Sequence, residues 1–510
     1  MVGMLAAMPP PAPRFAQPGD ARFRARGDAC PGALRLHRAD DGALARVRVP
    51  GGVLTWEQAD GLRELAGRLG DGELYLTSRG NVQLRGLGAE CGSELASRMY
   101  EMGLLPSERH ERVRNVVASP LSGLDGLGAR DVRPWLTALD ALVCASEAAA
   151  GLSGRFLFAL DDGRGDVDAL GADVTLRARG DGDAELRIGA LESVVRIPAA
   201  DAPRAALLAA MVFLETAGSP GAAGAASVAA AASGAAEASG AGGASGAGAA
   251  SGPAGSSPRR ASGAGAWRVA DLPGGAVPLF DEVVRRLRAA GPPVALGTVS
   301  VPGGAPPALG VAPPVALGTV SVPGGAPPAL GVVAGPGDTD ALSVGLPLGR
   351  ADAVRWRALT DLARDHGAGE LRLTPWRGVV VPGVRRDRAP GALDALEAVG
   401  LVTGDRSPWT GVAACVGRPG CAKSQADVQG DAAAALPVAP RADALPVHWS
   451  GCERRCGHPR GEWVDVVAGP DGGYRVSVVR DGGRTGEPEH VTGDPAALAT
   501  AVATARAPRT

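Results

Sequence analysis

The sequence predicts an α+β protein built from two copies of one unit, and three observations carry that prediction. First, QADGLRELAGRLGDGELYLTSRG at 58–80 recurs in diverged form as RWRALTDLARDHGAGELRLTPWRG at 355–378. Leu62, Leu65, Gly72, Glu73, Leu74 and Thr77 return as Leu359, Leu362, Gly369, Glu370, Leu371 and Thr374, at a constant offset of 297 residues. Second, the apolar periodicity of each copy switches between strand and helix in the order βαββα. Third, four late cysteines, Cys415, Cys421, Cys452 and Cys456, occur in one copy alone.

Each element has its own signal. Ala43–Val49 alternates and is rich in Val, so it reads as a strand. Thr55 with Gln58 forms a capping box. Trp56, Ala59, Leu62, Leu65, Ala66 and Leu69 follow at helical spacing. Glu73–Leu76 and Asn81–Leu87 read as strands, and Glu90–Met102 as a helix stopped by Gly103. This is half of a ferredoxin-like sandwich, and two halves are expected to pair about a pseudo-twofold axis. Pro50 with Pro347, and Gly103-Leu104 with Gly400-Leu401, extend the match. One inserted residue is expected to bring Arg79 onto Arg377.

The domain boundaries follow from composition. Residues 1–27 read as a disordered tail, not a signal peptide, because prolines interrupt MVGMLAAMPPPAPRF. Half-domain 1 spans 28–105, and an α/β domain without cluster cysteines spans 106–215. Residues 216–265, almost wholly Ala, Gly and Ser, form a linker. A connector at 266–337 contains a tandem duplication, PPVALGTVSVPGGAPPALGV at 292–311 and again at 313–332. One copy is expected to have a place in the fold. Half-domain 2 spans 338–404, and an α/β domain with the cysteines spans 405–510.

Composition narrows the function. The 510 residues carry a net charge of −2, so no basic surface argues for nucleic acid. No stretch has the apolar length of a membrane span. Lys423 is the only lysine, so no mechanism needing two lysines is open to this chain. The expected location is the cytoplasm, where thiols stay reduced.

The late cysteines fall as C-x5-C, then C-x3-C thirty residues on. Four thiolates are what a [4Fe–4S] cluster requires, one per iron. Structural zinc favours knuckles of roughly two to four intervening residues, which C-x5-C fits poorly. Cys30, Cys91 and Cys144 have no partner spacing and read as structural, with Cys91 on a helix.

The duplicated unit, the T-x-R motif at Thr77–Arg79 and the cysteine pattern together resemble the sirohaem nitrite/sulfite reductase superfamily. The likeness covers roughly 28–210 and 338–480. It implies an α/β sirohaem/[4Fe–4S]-type domain beside each half-domain, with the cluster in the second copy and Cys456 bridging to the sirohaem iron. Aligning RNVVASP (114–120) with TGVAACV (410–416) puts Ser119 where Cys415 stands. It also implies anion-binding roles for Arg79, within TSRGNVQLRG with Asn81, Gln83 and Arg85, and for Arg114 and Asn115. Arg85 stands where the reductases often carry histidine. The bland reading of these arginines is a solvated strand end or a cap. Arginine suits carboxylate ligands through its planar fork.

One segment departs from the pattern. The reductases carry K-F-K, whereas this chain has Arg155-Phe156-Leu157. A small anion receiving several protons would lack its acid there. Within the superfamily, CPGALR at Cys30–Arg35, SRGNVQLRGL at Ser78–Leu87 and SGCERRCGHP at Ser450–Pro459 resemble the precorrin-3B synthase branch. His458 in the last segment reads as a cap on the cluster loop or a metal ligand.

That resemblance implies an oxygenase: hydroxylation and lactone formation on precorrin-3A, with O2 and an electron donor such as NADH acting through a reductase. It implies a [4Fe–4S] cluster and a second iron centre, sirohaem or mononuclear non-haem iron. Arg79, Arg114, Arg155 and Arg377 would clamp the substrate's carboxylates. The alternatives are a sirohaem nitrite or sulfite reductase, and a non-catalytic iron–sulfur electron carrier.

Overall fold

The computed structural model describes residues 31–218, 266–289, 316–319, 327–436, 444–459, 461–480 and 483–507. The expected tail, Cys30, residues 219–265 of the expected 216–265 linker and the first duplicate at 292–311 lie outside the described residues, and the helix Ala202–Gly218 takes in the first three residues of that linker.

Thr55 caps its helix as the sequence requires. Its side chain accepts from Gln58 N, and the Gln58 side chain accepts from Thr55 N. The helix Trp56–Leu69 buries Ala59, Leu62, Leu65 and Ala66. Its repeat counterpart, Ala353–Asp365, is capped by Asp352, which accepts from Arg355 N. The two helices share one core with both half-domain sheets, which includes Leu62, Leu65, Trp356 and Leu359.

Each half-domain sheet is completed by a strand of the other copy. The first sheet runs His37–Ala39, Gly42–Val47, Val82–Leu87, Leu74–Leu76 and Arg350–Ala351 in space. The second runs Gly331–Val333, Thr339–Gly345, Gly378–Arg385, Glu370–Leu373 and Val53–Thr55. Ala351 pairs with Leu74, and Leu54 pairs with Leu371. The exchange crosses the pseudo-twofold axis in both directions, so the halves form one interlocked body. The α+β fold class with paired ferredoxin-like halves stands as expected.

The two α/β domains repeat one topology. In the first, Val116–Ala118, Phe158–Asp161 and Val174–Ala178 are parallel neighbours. Asp183–Ile188, Ser193–Pro198 and Ala316–Thr319 continue antiparallel. In the second, Val412–Ala414, Val447–Ser450 and Trp463–Ala468 are parallel, followed by antiparallel Tyr474–Arg480 and Gly483–Val491. Ala316–Thr319 and Gly331–Val333 both draw on the second duplicate at 313–332.

The expected insertion between the hairpins does not exist. Thr77 N bonds Asn81 O, and Thr374 N bonds Gly378 O, so the turns are equal in length. Trp376 therefore stands opposite Arg79, and Arg377 stands opposite Gly80. Both members of the latter pair have left-handed backbone, φ 61° at Arg377 and 64° at Gly80. Matching arginine to arginine had suggested an extra residue. The backbone shows that residue type and turn position have come apart.

Candidate iron–sulfur site

The four cysteines sit where parallel strands end. Cys415 follows Val412–Ala414, and Cys452 follows Val447–Ser450. Ala414 pairs with Trp449, so the two exit loops leave side by side. Cys415 N donates to Trp449 O at 2.9 Å. Gly451 N donates to the Cys415 sulfur at 3.2 Å. Cys452 and Cys456 share a turn closed by Arg455 N on Cys452 O. Cys415, Cys421 and Cys452 are half-buried and Cys456 is exposed.

The thiols face one another. Burial pushes the Cys415 thiol up, and the neighbouring Cys456 and Cys452 add to this. Cys456 is raised in the same way by burial, with Cys452 and Cys421 contributing. Among the described residues, no three cysteine sulfurs lie within 4.8 Å of one another. A tetrahedral zinc would hold its sulfurs about 3.8 Å apart. Four thiolates carried on converging loops are the donor set that a [4Fe–4S] cluster takes, one per iron. Cys415, Cys421, Cys452 and Cys456 therefore fit a [4Fe–4S] cluster as its donor set.

Half-domain 1 holds the Cys421 loop from both sides. Arg85 makes a two-pronged ion pair with Asp41, at 2.8 and 2.9 Å, and donates to Gly420 O at 3.0 Å. Asp40 accepts from Ala422 N. Arg85 is thus a brace for the cysteine loop. Sequence reasoning missed Asp40 and Asp41, because an acidic pair in a short turn reads only as a turn.

Beneath the cysteines lies a polar sheet face. His448 and Asp465 are cross-strand partners, and Ser450 follows on the same side. His448 and Ser450 are wholly buried. His448 Nε2 meets Cys456 O at 3.1 Å. Burial, with the charge of Arg377, lowers His448 to about 3 and keeps it neutral. His448 Nδ1, Ser450 Oγ and Asp465 Oδ1 have no described partner. His458 stacks on Trp463 at 5.3 Å and meets Pro459 O through Nδ1 at 2.9 Å, which suits a cap on the turn.

The first copy places serine where the second has its first cysteine. Ser119 N donates to Leu160 O at 3.0 Å, as Cys415 N does to Trp449 O. Asp162 N donates to Ser119 Oγ at 3.1 Å, as Gly451 N does to the Cys415 sulfur. Ser119 is therefore the positional twin of Cys415. An acid–arginine knot fills the rest. Ser119 donates to Asp166 at 2.6 Å, and Arg164 pairs with Asp162 and Asp125.

The remaining candidates scatter. Arg114 is buried against Asp140 at 2.8 and 2.7 Å and donates to Leu104 O, so its fork is occupied. Asn115 and Asn81 bond each other at 3.2 Å, and Asn81 also accepts from Val49 N at 2.9 Å, so both are interior struts. Gln83 lies against Arg46, within 3.1 Å of Nε. Arg48, unnoticed in the sequence, donates to Gly154 O at 3.0 Å and joins the half-domain to the α/β domain. Arg79 is half-buried at its hairpin tip. Arg155 is exposed and stacks on Trp267 at 4.4 Å. Leu157, in the last position of the R-F-L segment, is 3% exposed and packs with Val117 and Ala159. Cys91 is the N-cap of the helix Gly92–Glu101 and lies just outside it.

Comparison with known proteins agrees with this architecture. A family model, the nitrite/sulfite reductase ferredoxin-like half domain, matches residues 36–98 and 334–399. The Mycobacterium tuberculosis NirA protein shares the fold, with a TM-score of 0.58 and 17% identity, over 89% of this chain and 79% of its own. The two segments that the family model matches are similar to the half domains of nitrite/sulfite reductases, one in each copy of the repeat. It is 24% identical to a precorrin-3B synthase of Sinorhizobium sp over 473 residues, which is 92% of this chain and 85% of the relative. A ferredoxin–nitrite reductase of Synechococcus elongatus is 35% identical over 127 residues, 24% of this chain and 25% of its own length. No helix among the described residues is long and apolar enough to cross a membrane.

Proposed function

We propose that the protein is an oxidoreductase of the precorrin-3B synthase type, an oxygenase acting on the tetrapyrrole precorrin-3A. The observation that carries this reading is the extent of likeness. It runs over 92% of the chain for the precorrin-3B synthase, against 24% for the nitrite reductase of Synechococcus elongatus. The buried Leu157 supports it, since no cation can serve a small anion from that position.

In this reading one atom of O2 enters the macrocycle as hydroxyl and an acetate side chain closes as a lactone. The other oxygen atom leaves as water, with two electrons from a donor such as NADH through a separate reductase. Cys415, Cys421, Cys452 and Cys456 would hold a [4Fe–4S] cluster, which would supply electrons singly, and a second iron centre, sirohaem or non-haem, would supply oxygen chemistry. Arg79 and Arg155 are the carboxylate-binding cations of this reading. Asn81 and Asn115 hold the hairpin that carries Arg79. Arg85, Asp41 and Asp40 hold the Cys421 loop.

The test is incubation of reconstituted protein with precorrin-3A, labelled O2 and a competent reductant. The expected product is heavier by one labelled oxygen. Unchanged substrate with the cluster intact overturns the reading, and sulfite or nitrite reduction in its place establishes the reductase alternative.

A further inference from the structure

We propose that Arg377 sets the reduction potential of the cysteine site, as an uncancelled cation held against the Cys456 turn. The proposal rests on the cluster reading above and assigns a residue that reading leaves idle.

The backbone is the first observation. Arg377 occupies a left-handed position, φ 61°, that its twin Gly80 fills at no steric cost. A side chain there brings Cβ too close to the following carbonyl oxygen. Gly at 377 would relieve this without altering the turn. Strain of this kind persists where the side chain serves a purpose.

The side chain's route is the second. It runs through a slot between two glycines. A Cβ on Gly349 would lie 2.4 Å from Arg377 Cδ, and one on Gly457 would lie 3.0 Å from Nη2. Gly457 directly follows Cys456, so the guanidinium ends beside the cysteine turn.

The third is charge. Two arginines that brace the cysteine loops are matched by acids: Arg85 by Asp41 and Arg455 by Asp465. Arg377 has no carboxylate within ion-pair distance and no side-chain hydrogen bond among the described residues. His448 beside it is bonded to Cys456 O and cannot cancel the charge. A half-buried lone cation is costly unless an anion arrives. Four thiolates around a cluster supply that anion, and net local charge is one of the levers on cluster potential. A fixed cation favours the state that has gained an electron, so it raises the potential.

The experiment uses the full chain, reconstituted with iron and sulfide, and a dithionite titration followed by electron paramagnetic resonance. Wild type is compared with Arg377→Gly, Arg377→Gln and Arg377→Lys. The expected result is a more negative midpoint in the Gly and Gln variants and near-retention in the Lys variant. The denaturation midpoint of cluster-free Arg377→Gly should equal or exceed wild type. Should Arg377→Gly not fold, Arg377→Gln alone decides. An unshifted midpoint in a loaded, charge-free variant overturns the proposal. So does an unshifted midpoint with weakened tetrapyrrole binding, which would make Arg377 a ligand clamp. Wild type that takes up no cluster overturns the cluster reading and this proposal together.

Discussion

The indole nitrogen of Trp356 donates a 2.8 Å hydrogen bond to the carbonyl of Ala59, its own counterpart 297 residues earlier. The bond crosses the pseudo-twofold axis at the seam between the two half-domains. Trp356 is wholly buried there. Alanine at 59 leaves the room that tryptophan at 356 fills, so the repeat has diverged in step across its own axis. Trp356→Ala should cost about 3–5 kcal/mol. Trp356→Phe should cost about 1–3 kcal/mol, from the lost bond and the smaller ring together. Urea denaturation of the two variants checks both figures.

Arg85 and Asp41 form a nearly buried pair that braces the Cys421 loop. Removing one partner leaves the other charge stranded, at a cost of about 3 kcal/mol. Arg85→Ala should therefore lose its cluster to a chelator much faster than wild type. Cys421→Ser is the reference for full loss. Equal release rates in Arg85→Ala and wild type would mean that the loop holds itself.

Arg114 and Asp140 test whether a resemblance transfers a role. As a structural pair, Arg114→Ala and Asp140→Ala should each destabilise by about 3 kcal/mol, and the double variant by clearly less than their sum. A substrate clamp would instead lower tetrapyrrole affinity and leave the denaturation midpoint alone.

The knot in the first copy makes stability depend on pH. Asp166 is raised to about 7, chiefly by burial and then by the charges of Asp161 and Asp162, which outweigh its bond from Ser119 and the charge of Arg164. Unfolded, the same carboxyl ionises near 4. Between those values the folded state holds a proton that the unfolded state lacks, so stability falls as pH rises from about 4 to about 7 and then levels. Asp166→Asn should flatten that slope, gaining on the order of 1–3 kcal/mol at pH 8 relative to pH 5. Denaturation midpoints across the range report it.

The tandem duplication offers a simple check. Strands Ala316–Thr319 and Gly331–Val333 draw on the second duplicate. Deleting residues 292–312 leaves that sequence whole, so the unfolding free energy should change by no more than about 0.5 kcal/mol. A large loss would assign the first duplicate a structural part.

Signals that act over a few residues were legible. The capping box at Thr55, the stop at Gly103 and the 297-residue offset all follow from local chemistry or simple repetition. The cysteine quartet stood out because its residue type is rare and its spacing specific. The strand exchange was not. Arg350–Ala351 and Val53–Thr55 are too short for any period to show. The Asp40 and Asp41 brace was hidden because its partner loop lies some 380 residues away. Arg377 was misplaced because alignment compares residue types, whereas the turn is defined by backbone angles. Leu348, φ 53°, stands opposite Gly51 in the same manner.

The reciprocal strands also give a structural use to the copy that lacks the four late cysteines. Without Val53–Thr55 the other half would have an unfinished edge, and without Asp40, Asp41 and Arg85 one ligand loop would lose its anchor. The silent partner has become a chassis. Part of its worth is mechanical, and a gene that discarded it would leave the second half-domain sheet one strand short.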